Sequence, residues 1–334
     1  MKKTALLILL VFVLSVSPLS LQVKAEKECK LGFTTPYEDA VGIGALKFRD
    51  VLEEESEGKL KALLFPAMQL GNMREHWEGC QTGAMEVVCV PASAGTVFVP
   101  ELSLFELSFL FPDDFETAWG IVEGLKEEFN KVMNKKGYEL LGFYPYGYMQ
   151  FHTADKVIKT VEDLKGVKMR IMPSPLLIHQ YEQWGANPVP VEFSELYIAL
   201  QQKVVDGGEQ ALMTFRTQHF YEVQKNLIIS NHTFFVGVIP ANKEWYDSLS
   251  EEEKVWVQKA VRADIETQKE YITSEVVKQI SFFKEYGMNV SYLEEEAVKG
   301  FKEKTFATRQ KYASQSKACE KLLNLVLEKV EEIK

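Results

Sequence analysis

The apolar positions of this chain alternate between two periods, and the order of those periods carries most of the fold. Cys29 to Phe33 is a short apolar run that reads as a first strand. Pro36 and Tyr37 open a loop, and Asp39 stands where a helix running to about Glu55 needs its N-cap. Lys59 to Phe65 reads as a second strand, Pro66 to Gly71 as a turn, and a helix follows to about Gly83. Met85 to Val90 is a third strand. This strand–helix alternation predicts an α/β lobe with a largely parallel sheet. Gly42-Ile43-Gly44 lies inside the first helix and not at a strand–helix turn, and it lacks the third glycine of a dinucleotide fingerprint. It reads as helix packing.

Leu102 to Phe111 is apolar and ends at Pro112-Asp113-Asp114. Asp114 to Asn134 reads as one helix and Tyr138 to Tyr144 as a strand. The stretch Tyr144-Pro145-Tyr146-Gly147-Tyr148 is aromatic and rich in turn formers, and it reads as a first crossover between lobes. Val167 to Met172 is a strand and Leu176 to Trp184 a helix. Ser194 is placed to cap Glu195 to Gln202, and Leu227 to Val238 returns the chain towards the first lobe. Ser250-Glu251-Glu252-Glu253 is a capping-box signature, and no Gly or Pro follows until Gly287. A helix of that length spans roughly 54 Å, more than one small domain. From Glu294 the pattern is charged and helical, with Lys311 to Lys334 expected on the outside.

The N-terminus has a different character. Lys2 and Lys3 precede an apolar run within Thr4 to Val16, and Val23-Lys24-Ala25 offers small residues at a cleavage site. That is a secretory signal, too short for a comfortable membrane span, with cleavage expected after Ala25. Glu26 follows, so no lipid-modified Cys is expected there. The mature chain is expected in the periplasm. Loss of Lys2, Lys3 and Lys24 takes the formal charge from −10 to about −13, which argues against nucleic acid or an anionic membrane as partner. One buried arginine can still set the local field for an anionic ligand. The remaining length exceeds one compact core, so two lobes are expected. There is no internal repeat or low-complexity tract.

Catalytic and metal signatures are missing. His76, His152, His179, His219 and His232 form no metal-spaced pair, and there is neither a Gly-x-Ser-x-Gly elbow nor a phosphate-binding loop. Cys29, Cys80, Cys89 and Cys319 fit no zinc spacing. Their even number permits two disulfides in an oxidising compartment, while Cys29 and Cys89 equally suit buried strand positions.

The region from Glu162 to His232 is the most specific. It contains Glu162-Asp163-Leu164-Lys165-Gly166-Val167-Lys168-Met169-Arg170, then Phe193-Ser194-Glu195-Leu196-Tyr197-Ile198-Ala199-Leu200-Gln201. Val204-Val205-Asp206-Gly207-Gly208-Glu209-Gln210, Phe220-Tyr221-Glu222-Val223-Gln224-Lys225 and Asn231-His232 follow. In order and spacing these blocks resemble the solute-binding subunit of tripartite ATP-independent periplasmic (TRAP) transporters, across nearly the whole mature chain. The resemblance implies a two-lobed, type II-like α/β periplasmic binding protein with the long helix spanning both lobes. Lobe I would comprise residues 26–146 and 236–275, lobe II 147–235 and 276–320, and a helical tail 321–334. It implies a monomer that captures a small organic acid and delivers it to the membrane subunits of a TRAP permease, without catalysis or cofactor. For some members it allows a metal ion bridging ligand and protein.

Site residues follow from the same resemblance. Arg170 of the Gly-x-Lys-x-Arg block clamps the ligand carboxylate, with Met172 beside it. A guanidinium suits this task because its donors form a fixed fork and it stays charged when buried. Phe193 supplies the aromatic wall. Gln210 stands where the family commonly has Asn, followed by Ala211 in place of Pro. Met149 replaces a second Arg found in sialic-acid-binding members, which favours a smaller or more apolar monocarboxylate. Tyr144, Tyr146 and Tyr148 offer an apolar wall. The first lobe would contribute Thr34, Thr35 and Tyr37 after the first strand, Asn72 after the Leu70-Gly71 turn, and Pro91, Ala92 and Ser93 after the third strand. A ligand sensor for a receptor, or an exported enzyme on a similar fold, are the alternative readings.

Overall fold

The structure is a computed structural model that describes residues 27–333; the expected leader, residues 1–25, lies outside them. The strands are β1 (Lys27–Phe33), β2 (Leu60–Phe65), β3 (Val87–Pro91), β4 (Tyr138–Thr153), β5 (Lys168–Ile171), β6 (Asn187–Pro190), β7 (Gly207–Ala211), β8 (Asn226–Asn242) and β9 (Asn289–Tyr292). The helices are α1 (Ala40–Glu55), α2 (Met73–Thr82), α3 (Phe115–Glu123), α4 (Lys126–Asn134), α5 (Pro175–Gln183), α6 (Leu196–Gln201), α7 (Leu212–Thr217), α8 (Lys243–Ser248), α9 (Glu251–Tyr286), α10 (Glu295–Ala313) and α11 (Lys317–Glu332).

Among the described residues the strands form one sheet in the order β2-β1-β3-β8-β4-β7-β5-β6, with β9 beside β8. At one end β2, β1 and β3 run parallel, as the alternating pattern requires. At the other end β7, β5 and β6 are also parallel. The two-lobed α/β class therefore stands. Its centre differs from the sequence expectation of a loop crossover at Tyr144–Tyr148. That stretch lies inside β4, which pairs antiparallel with β8 from Tyr138↔Asn242 to Thr153↔Asn226. The two long strands thus belong to both lobes. The turn formers serve bulges within the strand: the register shifts between Pro145 and Gly147, and Gly147 has φ +89°. A bulge admits both a proline and a left-handed glycine without ending the ladder.

The long helix forms as its pattern predicts. Ser250 Oγ accepts from Glu253 N (3.2 Å), and Glu253 Oε2 accepts from Ser250 N (2.8 Å). Gly287 at φ +102° closes the far end. α9 packs along α1, where Gly44 permits the approach: a Cβ there would lie 1.9 Å from Asp264 Oδ1. The Gly42-Ile43-Gly44 element is helix packing. Three boundaries depart from expectation. The segment Asp114–Asn134 breaks into α3 and α4 at Gly124-Leu125. Ser194 lies inside a 3-10 turn, Phe193–Glu195, and caps nothing. The C-terminal segment expected from Lys311 begins its helix, α11, only at Lys317, and packs on the outside with Cys319, Leu322, Leu323 and Val326 on its buried face. All four cysteines are buried and free among the described residues. No described helix is long and apolar enough to cross a membrane.

Candidate functional site

The carboxyl ends of the parallel strands converge from both lobes on a cavity of ≈ 280 Å³ lined by Thr34, Thr35, Pro91, Tyr146, Arg170, Met172 and Gln210, with Met73, Phe193, Thr214 and Phe235. This is the expected position for a ligand in an open parallel sheet. Met73, Arg170, Met172 and Phe193 continue into an adjoining space of ≈ 550 Å³, whose mouth carries Ser93, Arg74 and Glu192.

β5 places Arg170 near its carboxyl end, and Pro173 ends the extended run. Arg170 is 2 % exposed. Its Nε donates to Val191 O (3.1 Å). Among the described residues Nη2 is buried with no hydrogen-bond partner, and no carboxylate lies within ion-pair distance of the side chain. Burial pushes its pKa down to about 10, partly offset by the fields of Glu209, Glu192 and Tyr181, so it remains charged at neutral pH. A buried charge without an opposite partner is costly, and an anion entering the cavity would relieve that cost.

The Gly207-Gly208 pair explains how β7 reaches this place. A Cβ on Gly207 would lie 2.1 Å from His152 O, and one on Gly208 would crowd the His152 ring at 3.2 Å and Arg170 Cβ at 3.4 Å. Only a bare backbone lets β7 lie between β4 and Arg170. His152 is held neutral, pushed down to about 4 first by burial; its Nδ1 donates to Gln224 Oε1 (2.9 Å). Next along β7, Glu209 accepts from Tyr181 Oη (2.7 Å) and His232 Nε2 (2.6 Å), and His232 stacks on Phe151. Both bonds end on Glu209 Oε2. Gln210 follows it and faces the cavity.

The sequence reading brings together Thr34, Thr35, Pro91, Arg170, Met172, Phe193 and Gln210 on one cavity, with Ser93 at its mouth, where Ser93 Oγ donates to Met172 Sδ (3.1 Å) across the cleft. Four expected residues lie elsewhere. Met149 is buried in the hydrophobic core, paired with Ala211 and Thr233. Tyr37 is 37 % exposed and packs edge-on to Phe33. Asn72 caps α2 through Glu75 N (3.0 Å), which leaves the next residue, Met73, to reach the cavity. Ala92 is buried in the first-lobe core. Of the three tyrosines only Tyr146 lines this cavity; Tyr144 donates to or accepts from it (3.0 Å), and Tyr148 faces a different groove. Thr214 and Phe235 carried no sequence signal: the β4–β8 register that brings Phe235 here is non-local, and Thr214 comes from α7, directly after β7. Among the described residues no three His, Cys, Asp or Glu side chains are grouped to hold a metal ion.

A cleft at the carboxyl ends of the strands that holds a buried cation suits a binding protein. The model for "Bacterial extracellular solute-binding protein, family 7" matches residues 31–315, and the chain belongs to that family. It is 27 % identical over 279 residues to the 2,3-diketo-L-gulonate-binding periplasmic protein YiaO of Escherichia coli (strain K12), covering 84 % of this chain and 85 % of that one. Its fold matches the sugar acid binding protein of Advenella mimigardefordensis in complex with galactonate, at TM-score 0.86 and 26 % identity, over 91 % of this chain and 99 % of that one. It also matches a TRAP periplasmic solute binding protein of Sulfurospirillum deleyianum with bound succinate, at TM-score 0.84 and 28 % identity, over 91 % and 99 %. The chain is thus the extracytoplasmic solute-binding subunit of a TRAP transporter and not an enzyme.

Proposed function

We propose that this protein captures a small organic carboxylate between its lobes, with Arg170 as the clamp, and hands it as a monomer to a TRAP-type permease. The observation that carries this reading is the buried Arg170 guanidinium, whose Nη2 has no partner among the described residues and which lines the interlobe cavity. A carboxylate there gains charge-assisted hydrogen bonds in a site that water scarcely reaches. Phe193, Met73, Met172 and Phe235 would cover the apolar part of the ligand, and Gln210 would donate an amide hydrogen bond. The relatives named above are described as binding 2,3-diketo-L-gulonate, galactonate and succinate, all organic acids, which supports the reading. Closure follows if the ligand contacts both lobes, since only interactions stronger in the closed form shift that equilibrium. Mass spectrometry of small molecules released by denaturing the purified protein tests the class: a carboxylate is expected, and a retained cation or neutral compound would sink the proposal.

A further inference from the structure

A second arginine stands without an acid, away from the interlobe cavity. Val298, Lys302, Phe306 and Arg309 recur at helical spacing, so they form one stripe along α10. Across a groove that stripe faces Leu327 and Val330 of α11, the loop 109–113, and Ser230 and Asn231 of β8. The groove shares no lining residue with the Arg170 cavity or its mouth. Its apolar side chains are open to solvent: Phe306 is 62 % and Ile333 54 % exposed. Exposed apolar residues grouped on one face mark a binding surface, whereas scattered ones need no explanation.

The charges say what binds there. Among the described residues only Nη2 of the Arg309 guanidinium has a hydrogen-bond partner, Phe109 O (2.7 Å), and Nε is buried with none. Burial pushes its pKa down, and no acid among the described residues offsets that shift. Lys302 Nζ stands 5.8 Å from the centre of the Phe109 ring. Lys299 and Lys304, on the same helix but off the groove, are paired with Glu295, Glu296 and Glu162; Lys302 pairs with no carboxylate among the described residues. Two acids line the groove. Asp113 feels the Lys302 field, but its Oδ1 is engaged by Asn231 Nδ2 (2.9 Å). Glu331 is exposed and exerts no field on Arg309. A chain of formal charge −10 thus keeps two unpaired cations against an apolar groove.

We propose that this groove is a second ligand site, for an amphipathic carboxylate whose anionic end is held by Arg309 and Lys302 and whose alkyl chain lies along Val298, Phe306, Leu327 and Ile333. The Nη2 bond to Phe109 O holds the guanidinium in place, which lowers the ordering cost of binding. The remaining donors of the fork are left for an acceptor on the ligand, and a carboxylate is the strongest one. An anionic membrane surface is disfavoured as the occupant, because the chain as a whole is acidic and is repelled by it.

Titration calorimetry of the mature protein with octanoate, octan-1-ol and acetate tests this. Octanoate is expected to bind about tenfold or more tighter than acetate, which lacks the chain, and than octanol, which lacks the charge. Arg309→Met and Phe306→Asp should each weaken octanoate binding by about tenfold or more, while Arg170→Met should leave it in place. Phe306 is exposed, so its variant reports on the groove even if Arg309→Met does not fold. Octanoate that fails to bind at millimolar concentration, or binds both groove variants as tightly as wild type, overturns the proposal. Acetate or octanol binding as tightly as octanoate does so too. Binding that Arg170→Met abolishes and the groove variants leave unchanged belongs to the interlobe cavity and overturns it as well. Sedimentation with phosphatidylglycerol vesicles that Phe306→Asp abolishes would give this face to a membrane surface and overturn the assignment.

Discussion

Asp39 and Thr217 join the two lobes. The Asp39 carboxylate, at the N-terminus of α1, accepts from Thr217 Oγ1 on α7 at 2.9 Å through its Oδ2. The same oxygen accepts from Thr214 Oγ1 (3.2 Å), while Oδ1 accepts from Val41 N (3.3 Å) and caps α1. One side chain therefore serves a local task in the first lobe and a bridging task to the second.

The two tasks separate by mutation. Thr217→Val removes the bridge and leaves the cap. If the bond exists only when the lobes meet, ligand affinity should weaken by about tenfold for each 1.4 kcal/mol lost, with the ligand-free Tm little changed. Asp39→Ala should lose both, with about 1 kcal/mol from the cap alone. Unchanged affinity in Thr217→Val, measured by titration calorimetry, would show that the bridge does not favour the bound form.

Glu106 gives the fold a pH dependence. Its Oε2 accepts from Ser174 Oγ (2.6 Å), the residue that caps α5, and its Oε1 is buried without a partner among the described residues. Burial pushes this carboxyl up to about 8 from an ordinary 4.5, and the Glu209 field adds to the rise. The folded state thus binds the proton more tightly than the unfolded chain. The stability linked to that proton is full below about 4.5 and is lost as pH rises through about 8. Glu106→Gln keeps an acceptor for Ser174 and cannot titrate. Its Tm relative to wild type should climb across that interval, and a difference that stays flat from pH 4 to 9 would contradict the assignment.

Gly237 fixes the packing behind the cavity wall. It lies opposite Tyr144 in the β4–β8 ladder, and a Cβ there would come within 2.0 Å of the Tyr144 ring. Gly237→Ala should cost about 1–3 kcal/mol as an overpacked core position, read from the denaturant midpoint. Part of the loss should return in the Gly237→Ala/Tyr144→Leu double variant relative to Tyr144→Leu alone. Strictly additive losses would mean the ring is not the obstacle.

Arg170 should be a burden on the empty protein. No carboxylate pairs with it among the described residues, so Arg170→Met, which replaces a buried charge by an apolar side chain of similar length, should leave the ligand-free Tm unchanged or raised. A destabilisation of about 3–5 kcal/mol is the mark of a broken buried ion pair, and finding it would recast Arg170 as structural.

Local signals account for what was legible in the chain. The Ser250 capping box, the absence of Gly and Pro until Gly287, and Asp39 before α1 are all determined within a few residues, and each element formed as its sequence specifies. The carboxyl ends of β1, β3 and β5 were legible too, and Thr34, Pro91 and Arg170 stand at them; Gln210, on β7, was reached only through the family resemblance. Bulges were not. Gly147 and Pro145 read as a turn, since composition cannot distinguish a bulge inside a long strand from a loop between two strands. The shift between Pro145 and Gly147 changes which side chains face the cleft, so Tyr146 lines the cavity while Met149 enters the core. Phe235 depends on a register set by the partner strand, which no local pattern encodes. Asn72 shows a milder failure: the capping box of α2 claims its side chain, and the neighbouring Met73 takes the place expected for it.

The carboxylate clamp is tested most directly by titration calorimetry of wild type and Arg170→Lys with the acid released from the denatured protein. Lysine keeps the charge but not the fork of donors, so binding should survive weakly, by at least tenfold less, and Arg170→Met should abolish it. Equal affinity in all three proteins would contradict the clamp and place the recognition of the ligand elsewhere in the cavity.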